Sequence, residues 1–531
     1  MYFVTLMAMF AACSESIDEI TNVDYPRAFS PIDLKVELGT FDKATVKWNV
    51  IDDARSYVVQ LSQGDNLVFD NAITYETELL EQPLTGLWGE TNYSVRVKSK
   101  AFNEGQEDSK WYSLVFKTNA EQIFKAVAND EIKTKQITVR WEPNAVVTIL
   151  TVSPDVGDVV LTAEEKAAGV KTLTDLTPET TYTISIYNGD QRRGMVTATT
   201  KWRPTGPDVV ELNPGDDFVA AVQDVANEGK ILLLAEGDYD WASNANFVKN
   251  ITIYGDPDGE KPRLEISVTE PVKVNQLTAD YIHFENVALV ADRDDGYFIN
   301  QGTNATDHIC SIGRLSFENC LIKGLGRSLV RTQTIDEKFD LIQINNCLIE
   351  NSSRQDGQNY ALIQCTIAFE AFPNIEITNT TVNHSYSNFL NIQGGAGQPS
   401  AKNILIENVT FYKTVGSNSA TPDNRYLIDG GNNGPLNVTI KNCILGSVRG
   451  VGNERGYRMN EAGTFTSEGN YATTDWMTTA DGAATPPAQN IPATAYSGSC
   501  ATLFVDPENG DFHIKDAGFA GRTTAGDPRW W

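Results

Sequence analysis

Ile282-His283-Phe284-Glu285-Asn286-Val287 is one of six versions of a single phrase in this chain. The others are Leu315-Ser316-Phe317-Glu318-Asn319-Cys320, Ile342-Gln343-Ile344-Asn345-Asn346-Cys347, Ile375-Glu376-Ile377-Thr378-Asn379-Thr380, Ile404-Leu405-Ile406-Glu407-Asn408-Val409 and Val438-Thr439-Ile440-Lys441-Asn442-Cys443. Each is an alternating strand, then Asn, then a short apolar strand. The Asn-to-Asn intervals are 33, 27, 33, 29 and 34 residues. A strand-rich repeat of this period predicts a solenoid, because each unit buries its apolar face only by stacking on its neighbours.

The residue types point to a right-handed parallel β-helix. Period-2 alternation before the Asn puts Ile, Leu, Phe and Val on one face, the interior. Asn tolerates a left-handed backbone better than other non-glycine residues, so it suits a sharp bend between two strands. Stacked at one bend per coil, these side chains can form a hydrogen-bonded ladder. Cys320, Cys347 and Cys443 directly follow the Asn and read as core stacking. A metal or redox role is the alternative, although no CxxC or Cys/His cluster accompanies them.

Upstream, Asp216 to Ala226 has helical spacing of apolar residues behind Asp caps, and Lys230 to Tyr239 reads as a strand ending in a turn. This entry resembles that of pectate-lyase-like β-helices, in which a helix plugs the open end of the solenoid. The ending Gly526-Asp527-Pro528-Arg529-Trp530 adds to the likeness. Together they resemble Bacteroidetes surface lipoproteins whose pectate-lyase-like domains have no assigned function. The resemblance covers about residues 205–531.

Residues 1–13 resemble a bacterial lipoprotein signal: an apolar run ends in Ala11-Ala12-Cys13. The resemblance implies acylation of Cys13, although no basic residue precedes the run and Phe10 stands where Leu or Val is usual. A plain buried cysteine is the alternative. Residues 14–27 form an acidic linker whose Ser14-Glu15-Ser16-Ile17-Asp18-Glu19 resembles a tag for the outer face of the outer membrane. The expected location is therefore the cell surface, with a lipid anchor.

Residues 28–119 and 120–201 have sandwich-like strands with an early Trp and a Leu six residues before a late Tyr. They resemble two fibronectin type III domains, with Tyr93 and Tyr182 at the tyrosine corners. Trp88 and Trp111 could stack on a sugar, with plain core or edge packing as the alternative for each. The predicted fold class is all-β: two fibronectin type III-like sandwiches, then a parallel β-helix with an N-terminal capping helix.

The 531 residues suffice for three or four domains, and a net charge of −28 argues against a nucleic-acid partner. The same charge would repel polyanionic substrates unless a basic patch or bound Ca²⁺ intervenes. A monomer is expected.

Each coil has a third strand with two apolar residues and then a polar one. Its alignment puts Asn300, Arg331, Gln364, Asn391 and Asp429 in one outward column. In pectate-lyase-like solenoids the equivalent strand floors the saccharide groove, so the resemblance implies a substrate-binding role for this column. The bland alternative is an ordinary polar strand face.

Catalysis has weaker support. Asp294-Asp295 should lie four coils from Asp429, roughly 19 Å at the strand spacing and beyond the roughly 5–10 Å of a glycosidase carboxylate pair. His283 and His384 read as structural or solvent-facing. A lyase needs an Arg or Lys base, for which Arg331 and Arg327 are the first candidates and Arg354 and Arg425 lie nearby. It usually needs carboxylates holding Ca²⁺ as well, and no Asp/Glu trio is evident. No metal ligands are assigned. The expected function is polysaccharide binding with cleavage by a lyase as its enzymatic version. The alternatives are a non-catalytic glycan-capture protein and a structural or adhesive rod.

Overall fold

A computed structural model of the chain describes residues 25–51, 54–300, 309–332, 337–352, 360–365, 373–385, 387–393, 401–416, 424–431, 434–450 and 454–531. Cys13, Asp336 and Arg354 lie outside these residues, as does the side chain of Glu337. The chain divides into two compact units after Lys201.

The first unit holds two sandwiches with separate cores. In the first, Lys35–Leu38, Lys43–Lys47 and Glu81–Thr85 form a three-stranded sheet. It faces a four-stranded sheet ordered Ile73–Thr77, Ala54–Gln63, Asn92–Ala101 and Tyr112–Lys117. This is the strand order of a fibronectin type III domain, and alternate residues (Tyr57, Val59, Leu61; Tyr93, Val95, Val97) fill its core. The second sandwich repeats the four-stranded sheet with Gly157–Val160, Ile149–Ser153, Thr181–Asn188 and Gln191–Thr199, facing Ile137–Arg140 and Val170–Leu173. The early tryptophans of the two segments, Trp48 and Trp141, are buried in their cores. Both tyrosine corners form: the Trp88 amide donates to Tyr93 Oη at 2.9 Å and the Thr177 amide to Tyr182 Oη at 2.8 Å.

The second unit is a parallel β-solenoid of three sheets, with ten, ten and eight strands. The helix Phe218–Gln223 closes its start, N-capped by Asp217, whose carboxylate accepts from the Ala220 amide at 2.9 Å. Phe218 and Val222 are its buried residues and join the solenoid core, with Phe218 edge-on to Trp241. Inside, residues at the same place in successive coils stack: Ile282 pairs with Leu315, which pairs with Ile342, then Ile375, Ile404 and Val438. Phe284 and Phe317 lie face to face, 5.3 Å apart.

All six repeat asparagines adopt a left-handed backbone, with φ between 50° and 55°. A coil further on, Gly469 occupies the same bend with φ 62°. The backbone ladder is continuous there: the Asn379 amide, for example, donates to the Glu407 carbonyl of the next coil at 3.0 Å. The side-chain ladder is not. Asn319 donates to Asn286 and Asn408 to Asn379, but Asn379 donates to Asn345, and Asn346 instead accepts from Arg529 at 3.1 Å. The C-terminal segment interrupts the expected ladder because its arginine competes for the same carbonyl oxygen. Asp527, 1% exposed, anchors that segment through Thr381 and Thr410.

The residue after each Asn faces inward. Cys347 Sγ accepts from the Cys320 amide, Thr380 Oγ1 from the Cys347 amide, and Asn470 Oδ1 from the Cys443 amide. Small polarisable or polar atoms there satisfy backbone donors that the bend leaves unpaired. Burial pushes the Cys347 thiol well up and that of Cys443 to about 12. These are buried structural thiols, the opposite of a reactive setting.

Candidate functional site

The third sheet carries the column read from the sequence, and its register agrees. Asn300 pairs with Arg331, Arg331 with Gln364, Gln364 with Asn391, and Asn391 with Asp429. Ile363 and Cys365 on either side of Gln364 belong to the core, so the column itself is on the outer face.

Exposure is where the expectation needs correcting. Asn300, Gln364, Asn391 and Asp429 are all buried, at 6, 9, 6 and 4%. They do not form an open floor. Asn300 donates to Glu270 at 2.5 Å, and Gln364 accepts from Ser328 at 3.4 Å. Asp429 is fully engaged: Arg458 grips both oxygens at 2.6 and 3.0 Å, and Gln393 adds a third contact at 2.7 Å. Of the five, Arg331 alone is half-buried.

Arg331 and Arg327 do converge, and they do so on Tyr297. Arg331 Nη1 donates to Tyr297 Oη at 2.9 Å, and Arg327 Nη1 lies 3.5 Å from the same atom. Tyr297 stands at the corner before the strand Ile299–Asn300, one coil before the arginines, and Tyr360 stands one coil after. The Arg327 guanidinium lies 5.1 Å from the Tyr297 ring centre and 5.0 Å from that of Tyr360. The two rings meet edge to face at 5.5 Å. Burial and the hydrogen bond with Tyr360 push the Tyr297 phenol up to about 12. It therefore stays protonated at neutral pH and cannot neutralise either arginine.

Among the described residues neither arginine has a carboxylate partner, and Nε of each is buried without an acceptor. Asp336 and the side chain of Glu337, the next acidic groups along the chain after Arg331, lie outside what is described. A buried donor without a partner costs about 1–3 kcal/mol, more when charged. The same arrangement recurs four strands on. Tyr426 occupies the place of Tyr297, and the Arg458 guanidinium lies 4.5 Å from its ring centre. There the column residue one coil back is Asp429, which pairs with Arg458; at the first site it is Asn300, which has no charge to offer Arg331.

The other sequence candidates, Trp88 apart, are taken up by ion pairs, hydrogen bonds or packing. Asp295 pairs with Arg293 at 2.9 Å, and its coil is four strands from Asp429 by register. His283 bridges Ser316 and Glu285, while His384 bonds Asn383 and packs against Tyr412. Trp111 is covered by Arg96 and Lys98, 4.3 and 5.3 Å from its ring. Trp88 remains 43% exposed. Arg425 is buried, at 1%. Among the described residues no three His, Cys, Asp or Glu side chains gather as a metal site would require, so they do not make the carboxylate seat that a Ca²⁺-dependent lyase uses.

Tyr297 and Tyr360 were not singled out from the sequence. Their signal was an aromatic residue just before the third strand, legible only once the coils are in register.

Residues 404–530 match a family described as "Domain of unknown function (DUF5123)". No curated protein matches the chain. Among solved structures, a two-domain fibronectin type III segment of chicken tenascin is 18% identical, covers 33% of this chain and 99% of its own, and has a TM-score of 0.23. The FN5 domain of Drosophila Lar is 20% identical over 18% of this chain and 98% of its own, with a TM-score of 0.15. The sandwich assignment rests on strand order, cores and tyrosine corners, and the family match reaches only the last coils and the C-terminal segment.

Proposed function

We propose that the solenoid binds an acidic polysaccharide at Arg327 and Arg331. The observation that carries this reading is a pair of guanidinium groups converging on one neutral phenol, with no carboxylate partner among the described residues. An arginine fork matches a sugar carboxylate bidentately, and a bound anion would offset the repulsion between the two cations. It would do so in a chain of net charge −28, where spare positive charge is scarce. Asn300, Gln364, Asn391 and Asp429 would hold the strand in place beneath the saccharide and not contact it first.

Arg331→Ala should weaken binding to acidic glycans by about 1.5–3 kcal/mol, as for a charge-assisted hydrogen bond. A carbohydrate array spanning acidic and neutral polysaccharides provides the measurement. Equal binding by wild type and variant on every glycan would remove this site. Cleavage would be a further step. In a lyase Arg331 or Arg327, in its neutral form, would take the proton from the carbon beside the sugar carboxylate. The glycosidic C–O bond on the next carbon would break as its oxygen leaves with the departing sugar, and the unsaturated product would absorb near ~235 nm.

The burial of four of the five column residues favours a second reading, a structural or adhesive surface rod. No array signal above background would support the rod. In either case we place the protein at the cell surface, held in the outer membrane by lipid on Cys13. Cys13→Ala should then move it to the soluble fraction, and unchanged membrane association would refute the anchor.

A further inference from the structure

We propose that the two sandwiches act as one rigid spacer, locked by a clamp that the hairpin of the second sandwich closes on the first. Tandem sandwiches joined by a short linker ordinarily move relative to one another, unless the interface between them is large or tightly bonded. Here the linker is bonded from both sides. Between Lys117 and the bridge residue Phe124, Thr118 accepts from the Thr91 amide at 3.0 Å, and the Asn119 carbonyl accepts from the Glu90 amide at 3.0 Å. Those contacts tie the linker to the first sandwich.

The second sandwich holds the rest. Glu121, its side chain 3% exposed, takes a two-pronged ion pair from Arg193: Nη2 at 2.6 Å and Nε at 3.0 Å. The Ile123 amide donates to the Arg193 carbonyl at 3.1 Å, and Gln122 donates to the Met195 carbonyl at 2.6 Å. The same strand then reaches across to the first sandwich. Gln191 donates to the Gly89 carbonyl at 2.5 Å, and Arg192 Nε donates to Glu90 at 2.6 Å.

Two glycines make the close approach feasible. A Cβ on Gly89 would stand 2.9 Å from the Glu121 amide nitrogen, and one on Gly194 would stand 2.6 Å from Gln122 Oε1. A freely swivelling linker would need neither the missing side chains nor a buried carboxylate with a dedicated arginine. Arg and carboxylate in this paired geometry confer orientation as well as attraction.

The test uses the full chain with spin labels on Asp65→Cys and Asp158→Cys, exposed positions on the two sandwiches. Wild type should give one narrow distance distribution, and Arg193→Ala should broaden it. A broad wild-type distribution would overturn the clamp, as would a narrow one that Arg193→Ala leaves unchanged. Should Arg193→Ala unfold the second sandwich by stranding the Glu121 charge, the uncharged pair Glu121→Gln/Arg193→Gln replaces it. Broadening in that pair supports the clamp, and an unchanged narrow distribution overturns it.

Discussion

Asn379→Ala and Asn379→Gly separate the two jobs of the bend residue. Asn379 has φ 50°, donates to Asn345 Oδ1 at 2.8 Å and accepts from Asn408 Nδ2 at 3.0 Å. Either substitution removes both side-chain bonds, about 1 kcal/mol each. Alanine also brings a Cβ into the left-handed region, at about 1–2 kcal/mol, a strain that asparagine bears only in part. Glycine escapes that strain but gives the unfolded chain about 0.5–1 kcal/mol of extra freedom. The expected losses are about 3 kcal/mol for alanine and about 2 kcal/mol for glycine. Gly469, which makes the same bend a coil further on, shows that glycine suits the conformation. Urea unfolding of the full chain, read at the solenoid's transition with m unchanged, gives both values. Equal losses for the two variants would refute the role of the left-handed backbone. A negligible loss for both would refute the ladder as well.

Asp429→Asn should cost about 2–3 kcal/mol in the same assay, because it leaves the Arg458 guanidinium over Tyr426 without its carboxylate. Asp527→Ala should remove the carboxylate that accepts from the Thr381 hydroxyl and pairs with Arg529, lowering the stability of the solenoid by about 2 kcal/mol in the same assay, while the bond from its backbone amide to Thr410 remains. His384 provides a pH signature. Burial, then the nearby Lys413 charge, hold its imidazole below the ordinary 6.5, so on acidification the unfolded chain takes up the proton first. Stability should therefore fall as pH drops below 6.5 towards the folded value, and the advantage of wild type over His384→Gln should shrink over that window. A difference that does not change with pH would contradict this.

The six bends were legible because a left-handed φ and a period-2 strand are local demands, written in Asn286 and its neighbours and repeated coil by coil. The tyrosine corners were legible for a similar reason: Leu87 and Tyr93, or Leu176 and Tyr182, close a turn only a few residues long. The register of the third sheet was legible from its own local pattern, two apolar residues and then a polar one, which matches Asn300 to Arg331. What lies over a strand is a different kind of question. The sequence by itself determined that Asn300, Gln364, Asn391 and Asp429 share one column on the outer face. Only the tertiary structure decided that they are buried, that Asp429 is neutralised by Arg458, and that Tyr297 and Tyr360 bracket Arg327. The physical reason is range: exposure and charge pairing depend on side chains roughly 30 residues away along the chain, brought within hydrogen-bonding distance by coils about 4.8 Å apart.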